Sequence, residues 1–179
     1  MEKFQNKYRI PSARAYFWNY GWNALYFVTI CTHHRICWFG NISEGEMKLS
    51  EIGKLVNSEW VKTFEMRPDM NLHMGEYVVM PNHFHAVIGI GENQYNMQSM
   101  DMDAGQPLNK FGPQSKNLAS LIRGFKAGVS ILARQIEPQF RWQSRFHDHI
   151  IRDDESFLKI SDYIKNNPAK WVEDKFYTP

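Results

Sequence analysis

The sequence has only two cysteines, Cys31 and Cys37, among its 179 residues. Two cysteines are too few for the disulfide framework that stabilises many small secreted domains. The chain also lacks an apolar run of membrane-spanning length, which takes about 20 residues. Its N-terminus is charged and has no apolar segment typical of a secretory signal. These absences predict a soluble, cytoplasmic protein.

A strong charge of one sign is missing too, because the formal net charge is only +2. Such a balance gives no global argument for a polyanionic partner. Residues 115–152, however, contain seven Lys and Arg against two Asp and Glu. A local basic band predicts a polyanion-binding surface, although ordinary solvated charge is the alternative. The candidate contacts, which include one arginine beside the aromatics of the N-terminal arm, are Arg14, Arg123, Lys126, Arg134, Arg141 and Arg145.

Hydrophobic periodicity and turn residues predict seven secondary-structure elements. The predicted strands cover residues 25–32, 71–80, 83–90 and 140–151. The predicted helices cover residues 50–65, 117–136 and 153–167. The first six elements follow the order βαββαβ, which predicts an α+β fold with a ferredoxin-like antiparallel sheet. The last helix is an addition to that fold.

The length is that of one domain, so we assign residues 1–179 to a single unit. Residues 1–24 show no clean periodicity and form an N-terminal arm in this interpretation. Residues 91–116 are polar, rich in Met and punctuated by Gly and Pro. This composition predicts a mobile surface loop.

The clearest candidate site is the His-Phe-His motif at the start of the third predicted strand. Side chains alternate along a strand, so His83 and His85 leave on one face. Two neutral imidazoles at this spacing can bind one divalent cation. The alternative is a pair of half-buried histidines, each hydrogen-bonded to a neighbour.

Two further motifs are weaker signals. His147 and His149 form a second His-x-His on a strand whose exposed face is uniformly polar, which indicates ordinary surface. Cys31, His33, His34 and Cys37 suggest zinc, but structural zinc sites usually pair their cysteines more tightly.

Tyr163 and Asn167 lie four residues apart on the last predicted helix, so they share a face. If this helix crosses the sheet face opposite the other helices, both could meet His83 and His85. The alternative is that Tyr163 only packs beside the apolar stripe of its own helix.

Taken together, these motifs resemble the single-tyrosine HUH transposases, and among them the REP-associated tyrosine transposases. The resemblance rests on four phrases spread over most of the chain: YFVTICT (26–32), MPNHFHAVI (80–88), FHDHIIR (146–152) and YIKNNPAKW (163–171). It implies cleavage and rejoining of single-stranded DNA that carries a hairpin, through a 5′-phosphotyrosine link.

The resemblance also implies roles for individual residues. His83 and His85 correspond to ligands of a divalent metal ion, Mg²⁺ or Mn²⁺, and Tyr163 corresponds to the nucleophile. Asn167 corresponds to the third ligand, with Asn166 as a weaker candidate. The expected partner is a REP-like DNA hairpin, and the protein acts as a monomer or as a homodimer.

Two other functions remain open at this point. A non-catalytic module that binds single strands or hairpins fits a ferredoxin-like sheet with many aromatics. It has no need of the histidine pair or of Tyr163. A rolling-circle replication initiator shares these residues, but the compact chain has no helicase or origin-binding extension.

Overall fold

A computed structural model describes residues 18–97 and 115–178 of the chain. Within these ranges the strands are β1 (Ala24–Cys31), β2 (Gly40–Ser43), β3 (Glu46–Leu49), β4 (Leu72–Val79), β5 (His83–Ile90) and β6 (His147–Ile151). The helices are α1 (Glu51–Glu65), α2 (Leu118–Ile136) and α3 (Asp154–Asn166). Arg14 and most of the predicted loop 91–116 lie outside the described residues.

The main sheet has the strand order β4-β5-β1-β6, and every neighbouring pair is antiparallel. The α1 helix connects β1 to β4, and α2 connects β5 to β6. This arrangement confirms the predicted ferredoxin-like α+β fold. Register places Thr29 opposite His85 and Cys31 opposite His83 on the two central strands.

The core lies between the sheet and the two packed helices α1 and α2. Alternate strand residues point into it, including Phe84, whose neighbours in sequence are the two candidate histidines. Trp60 of α1 lies at its centre, with ring centroids 5.0 Å from Phe84 and 5.2 Å from Phe125 of α2. The histidines therefore leave on the opposite face of the sheet, because side chains alternate.

Both core helices begin at side-chain caps that the sequence provides. The Ser50 side chain accepts a hydrogen bond from the Gly53 amide at the start of α1. Asn117 and Ser120 form a reciprocal capping box at the start of α2. Such caps satisfy amide groups that have no partner within the helix. Among the described residues, no helix has the length and apolarity that crossing a membrane requires.

The α3 helix packs on the other face of the sheet, which is the placement under which Tyr163 and Asn167 could meet the histidines. Asp153 caps it through the Ser156 amide. Ile164 is buried against Val87 and Ile151, so the helix lies across the sheet. A 3-10 helix, Pro168–Glu173, follows, and the chain after it lies against His83 at the start of β5.

One predicted strand differs from the structure, and one hairpin is additional to the prediction. The strand predicted at 140–151 begins only at His147, because the chain before it pairs with its neighbour only through an isolated bridge between Trp142 and Thr32. The additional hairpin consists of β2 and β3. Its turn uses positive φ angles at Glu44 and Gly45, which glycine adopts at little cost.

Candidate active site on the sheet face opposite the core

The two histidines of β5 lie side by side on the sheet face opposite the core. Their ring centroids are 4.5 Å apart. His83 is 0% exposed and His85 is 1% exposed. Buried imidazoles need hydrogen-bond partners, so the partners of each ring nitrogen determine what the pair can bind.

The protonation of His83 follows from its neighbour Asn82. The Asn82 amide nitrogen donates to the carbonyl oxygens of Phe176, at 2.9 Å, and Arg35, at 3.2 Å. Its Oδ1 is therefore the atom that accepts from His83 Nδ1, 2.9 Å away. A neutral imidazole with its proton on Nδ1 has a lone pair on Nε2. His83 Nε2 is buried and has no hydrogen-bond partner.

His85 is held between β1 and α3. Its Nδ1 lies 2.8 Å from Thr29 Oγ1, and its Nε2 lies 3.2 Å from the Tyr163 hydroxyl. Burial lowers the pKa of His85 to about 3 and holds the pKa of His83 well below its usual value. Both rings are therefore neutral near pH 7, which is the form that binds metal ions.

Asp174 completes the cluster, and the sequence analysis missed it. The Tyr163 hydroxyl donates to Asp174 Oδ2 at 3.1 Å, and the Asn167 amide donates to the same oxygen at 2.8 Å. The ligand atoms of His83, His85 and Asp174 all lie within 4.8 Å of one another. The structure therefore contains a three-residue cluster that could hold a metal ion.

Tyr163 and Asn167 both reach this cluster, and Asn166 does not. Asn167 is 2% exposed, and its Oδ1 is buried without a hydrogen-bond partner. The Asn166 amide instead donates to the Asp162 carbonyl on the exposed side of α3. Unpartnered lone pairs on His83 Nε2 and Asn167 Oδ1, beside a carboxylate, are a donor set that fits a divalent cation such as Mn²⁺. Whether Asn167 is a ligand stays a prediction.

Tyr163 is 39% exposed, although its hydroxyl faces the buried cluster. Burial and the nearby Asp174 carboxylate raise the pKa of Tyr163 to about 12. Beside the tyrosine lies a cavity of about 310 Å³, lined by residues of α3 and of the 3-10 helix that follows it. The hydroxyl is therefore next to open space that a substrate could enter.

A C-terminal segment, residues 174–178, covers the histidine pair. The Phe176 ring centroid is 4.6 Å from that of His83 and 5.8 Å from that of His85. The Arg35 guanidinium lies 4.2 Å from the centroid of the same ring. Hydrogen bonds from Asn82 hold this segment on the sheet, which explains why both histidines are buried.

Three of the predicted polyanion contacts, Lys126, Arg134 and Arg141, line one groove. This α2 groove has a volume of about 330 Å³. Lys126 Nζ donates to the Gln143 carbonyl, and burial lowers the Lys126 pKa to about 8. In the described ranges, no ion pair involves these three cations. Arg123 and Arg145 are exposed outside this groove.

The cysteine and histidine stretch near β1 forms no comparable cluster in the part of the chain that the structure describes. Cys31 is buried beside Met80 and Trp171. Cys37 is exposed, with its Sγ 3.3 Å from the Thr178 hydroxyl. The metal-binding potential therefore lies at the histidine pair of β5.

No family model matches the chain. An uncharacterized protein of Haemophilus influenzae is 35% identical over 167 residues, which cover 93% of this chain and 92% of that protein. This chain belongs to the same family as that protein. The shared sequence spans both the histidine pair and the α3 helix, because it covers nearly the whole of both chains.

A solved structure of a REP-associated tyrosine transposase bound to a REP hairpin aligns with 94% of this chain and 76% of that chain. The TM-score is 0.59 and the sequence identity is 17%. At this identity, the likeness shows a shared fold. A candidate transposase from Deinococcus radiodurans aligns with a TM-score of 0.44 and 12% identity, which carries no further argument.

Proposed function

We propose that the protein is a metal-dependent endonuclease and strand transferase that acts on single-stranded DNA with a hairpin. The observation that carries this proposal is the Tyr163 hydroxyl, 3.2 Å from His85 Nε2 and 3.1 Å from Asp174. A nucleophile beside two neutral histidines and a carboxylate suits phosphoryl transfer. The hairpin-bound transposase that shares the fold supports the substrate class.

In the proposed reaction, the Tyr163 oxygen attacks the phosphorus of the scissile phosphodiester. A bond forms between phosphorus and the tyrosine oxygen, and the bond from phosphorus to the 3′ oxygen breaks. The phenolic proton passes to Asp174, which already accepts it in a hydrogen bond, and water protonates the departing 3′ oxygen. The products are a 5′-phosphotyrosine link and a free 3′-hydroxyl. Attack by a 3′-hydroxyl on that link reverses the step and joins strands.

His83, His85 and Asp174 would hold the divalent cation, with the Asn167 carbonyl oxygen as a further ligand. When bound, Mg²⁺ or Mn²⁺ would neutralise charge on the scissile phosphate and stabilise the phenolate. Tyr163 depends on such help, because a hydroxyl with a pKa of about 12 is a poor nucleophile near pH 7. Thr29 and Asn82 fix the two imidazole rings through their Nδ1 atoms.

Access to the histidines depends on the C-terminal segment. Phe176 lies over both imidazoles, and neither ring is more than 1% exposed. A phosphodiester therefore reaches the pair only when residues 176–178 move from the sheet, while Asp174 stays beside Tyr163. Tyr163 itself is already accessible from the cavity beside α3.

The basic side chains would bind the DNA backbone around the site. Lys126, Arg134 and Arg141 lie together in the α2 groove, where no carboxylate of the described chain neutralises them. Arg14, Arg123 and Arg145 stay predicted contacts. Arginine and lysine bind phosphates and release counterions, so affinity would depend strongly on salt.

The decisive experiment incubates the protein with labelled hairpin DNA and Mn²⁺ or Mg²⁺, and then separates the products on a denaturing gel. Wild-type protein should form a covalent adduct, and Tyr163→Phe should form none while it still binds the hairpin. Tyr177→Phe is a matched control, since Tyr177 has the same 39% exposure. An adduct that mass spectrometry maps to another tyrosine would refute the assignment.

A non-catalytic hairpin-binding module is the second candidate. The buried histidines and the raised pKa of Tyr163 favour it, because they describe a site that does not react as it stands. Under this alternative, the wild-type protein binds hairpins tightly but forms no adduct with either metal ion.

A further inference from the structure

The second His-x-His motif lies on β6, at the edge of the sheet. Register places His147 opposite Thr29 and His149 opposite Phe27 of β1. Residues directly opposite each other in an antiparallel pair project from the same face. Thr29 reaches His85 on the site face, so His147 and His149 project from that face too.

Both β1 neighbours connect this motif to the candidate active site. Thr29 Oγ1 lies 2.8 Å from His85 Nδ1. The Phe27 ring stacks on His85 at 5.2 Å and meets the edge of Tyr163 at 6.2 Å. Each β6 histidine is therefore separated from the site by a single side chain.

The site face of β6 is exposed at His147 and His149, whereas α3 covers it further along the strand. Ile151, two residues after His149, is buried against Ile164 of α3. His147, His149 and Arg145, which immediately precedes the strand, are all exposed. In the described residues, none of these three side chains forms an ion pair. An edge strand also leaves one row of backbone groups unpaired.

We propose that Arg145, His147 and His149, together with the half-buried Phe27, bind the single-stranded DNA that leads into the site. The inference rests on the proposed function and names where the substrate strand lies. Single strands bind where aromatic rings stack on bases and cations contact the backbone. Phe27 and the imidazole rings provide the stacking surfaces, and Arg145 provides the cation. We call these four residues the β6 strip.

The geometry limits the length of DNA that the strip can bind. Neighbouring strands lie about 4.8 Å apart, so β6 lies about 10 Å from the histidines of β5. Affinity should therefore rise with the length of a single-stranded flank and stop rising once the flank spans this short distance.

The test measures binding by fluorescence anisotropy, without divalent metal, in a Tyr163→Phe background that forms no adduct. The probes are one DNA hairpin without a flank and the same hairpin with progressively longer single-stranded flanks on either side. His147→Ala with His149→Ala should lower affinity for the flanked probe about tenfold, which lies within the range for loss of one stacked base. Affinity for the unflanked hairpin should not change. His149→Phe, which keeps a stacking ring, should retain the preference for the flank.

His73→Ala is the matched control, because His73 is an exposed histidine on β4, the opposite edge strand of the sheet. This variant should bind both probes like the parent protein. The inference is overturned if the double β6 variant keeps its preference for the flank, or if His73→Ala loses it equally. Adduct formation by the wild-type protein is measured separately on a denaturing gel. If no adduct forms, the proposed reaction is wrong, and the binding measurements still decide where the single strand lies.

Discussion

Asn82 fixes the protonation of His83 through its own hydrogen bonds. Its amide group has only one orientation that satisfies the carbonyls of Arg35 and Phe176. That orientation places the His83 proton on Nδ1 and leaves Nε2 free. One buried amide thus leaves the Nε2 lone pair of His83 without a protein partner and also anchors the segment that covers it.

Asn82→Asp should destabilise the protein, because carboxylate oxygens would then face two buried carbonyl groups. We expect the free energy of unfolding in urea to fall by about 2–4 kcal/mol, the cost of losing such partners. Asn41→Asp, at an exposed position of β2, should change it by less than about 0.5 kcal/mol. Equal effects of the two variants would contradict the role assigned to Asn82.

Replacement of both His83 and His85 by Ala should abolish metal binding and adduct formation. Titration with Mn²⁺ in a calorimeter measures the first effect, and the denaturing gel measures the second. The control is His33→Ala with His34→Ala, an exposed pair outside the cluster. Metal-dependent cleavage by the double β5 variant would show that these histidines are not the metal ligands.

The buried histidines also predict how stability depends on pH in the metal-free protein. The pKa of His85 falls from 6.5 to about 3 on folding, so the unfolded chain binds the proton more tightly. Stability from this group is complete above pH 6.5 and is lost as the pH falls towards 3. Between pH 6.5 and 5 the loss should be about 2 kcal/mol. Urea unfolding of His85→Gln should show a smaller loss, and an identical pH dependence would contradict this origin.

At the scale of elements, the α2 groove lies between one face of α2 and the extended segment that precedes β6. Lys126 and Arg134 of α2 donate to carbonyl groups of that segment, at Gln143 and Phe140. The segment therefore lies where three cations converge, although it is not the regular strand that its alternating polar pattern predicts. Residues 141–144 of this segment line one side of the groove.

Reversing charge in the groove tests its role in DNA binding. Lys126→Glu with Arg134→Glu should weaken hairpin binding and lower the slope of log affinity against log salt by about 2, one unit per lost phosphate contact. The control is Lys54→Glu with Lys62→Glu on the exposed face of α1, which changes the net charge equally. If both pairs act alike, net charge rather than the groove determines binding.

At the scale of the whole molecule, the sheet has the hydrophobic core on one face and the candidate active site on the other. The α1 and α2 helices cover the first face, and α3 with the C-terminal segment covers part of the second. Within the C-terminal segment, the Phe176 ring lies against the His83 ring. The tertiary structure thus determines which side chains of the site solvent can reach.

Phe176→Ala should open the histidine pair to reagents in solution. Diethyl pyrocarbonate should modify His83 and His85 faster than in wild type, and peptide mass spectrometry would quantify each site. Tyr177→Ala is the control, because Tyr177 is more exposed and packs on Trp171 rather than on the histidines. Unchanged modification of both histidines in a folded Phe176→Ala protein would show that another element buries them.

The sequence by itself determined the helices, the four main strands and their order, because periodicity and caps are local properties. It also placed His83 and His85 on one strand face and Tyr163 and Asn167 on one helix face. Asp174 carried no such signal, since it follows a 3-10 helix outside any periodic pattern. Only the tertiary structure brought it within hydrogen-bond distance of Tyr163, closed Phe176 over the histidines and set His149 beside Phe27. These contacts join residues distant along the chain, so packing rather than local preference decides them.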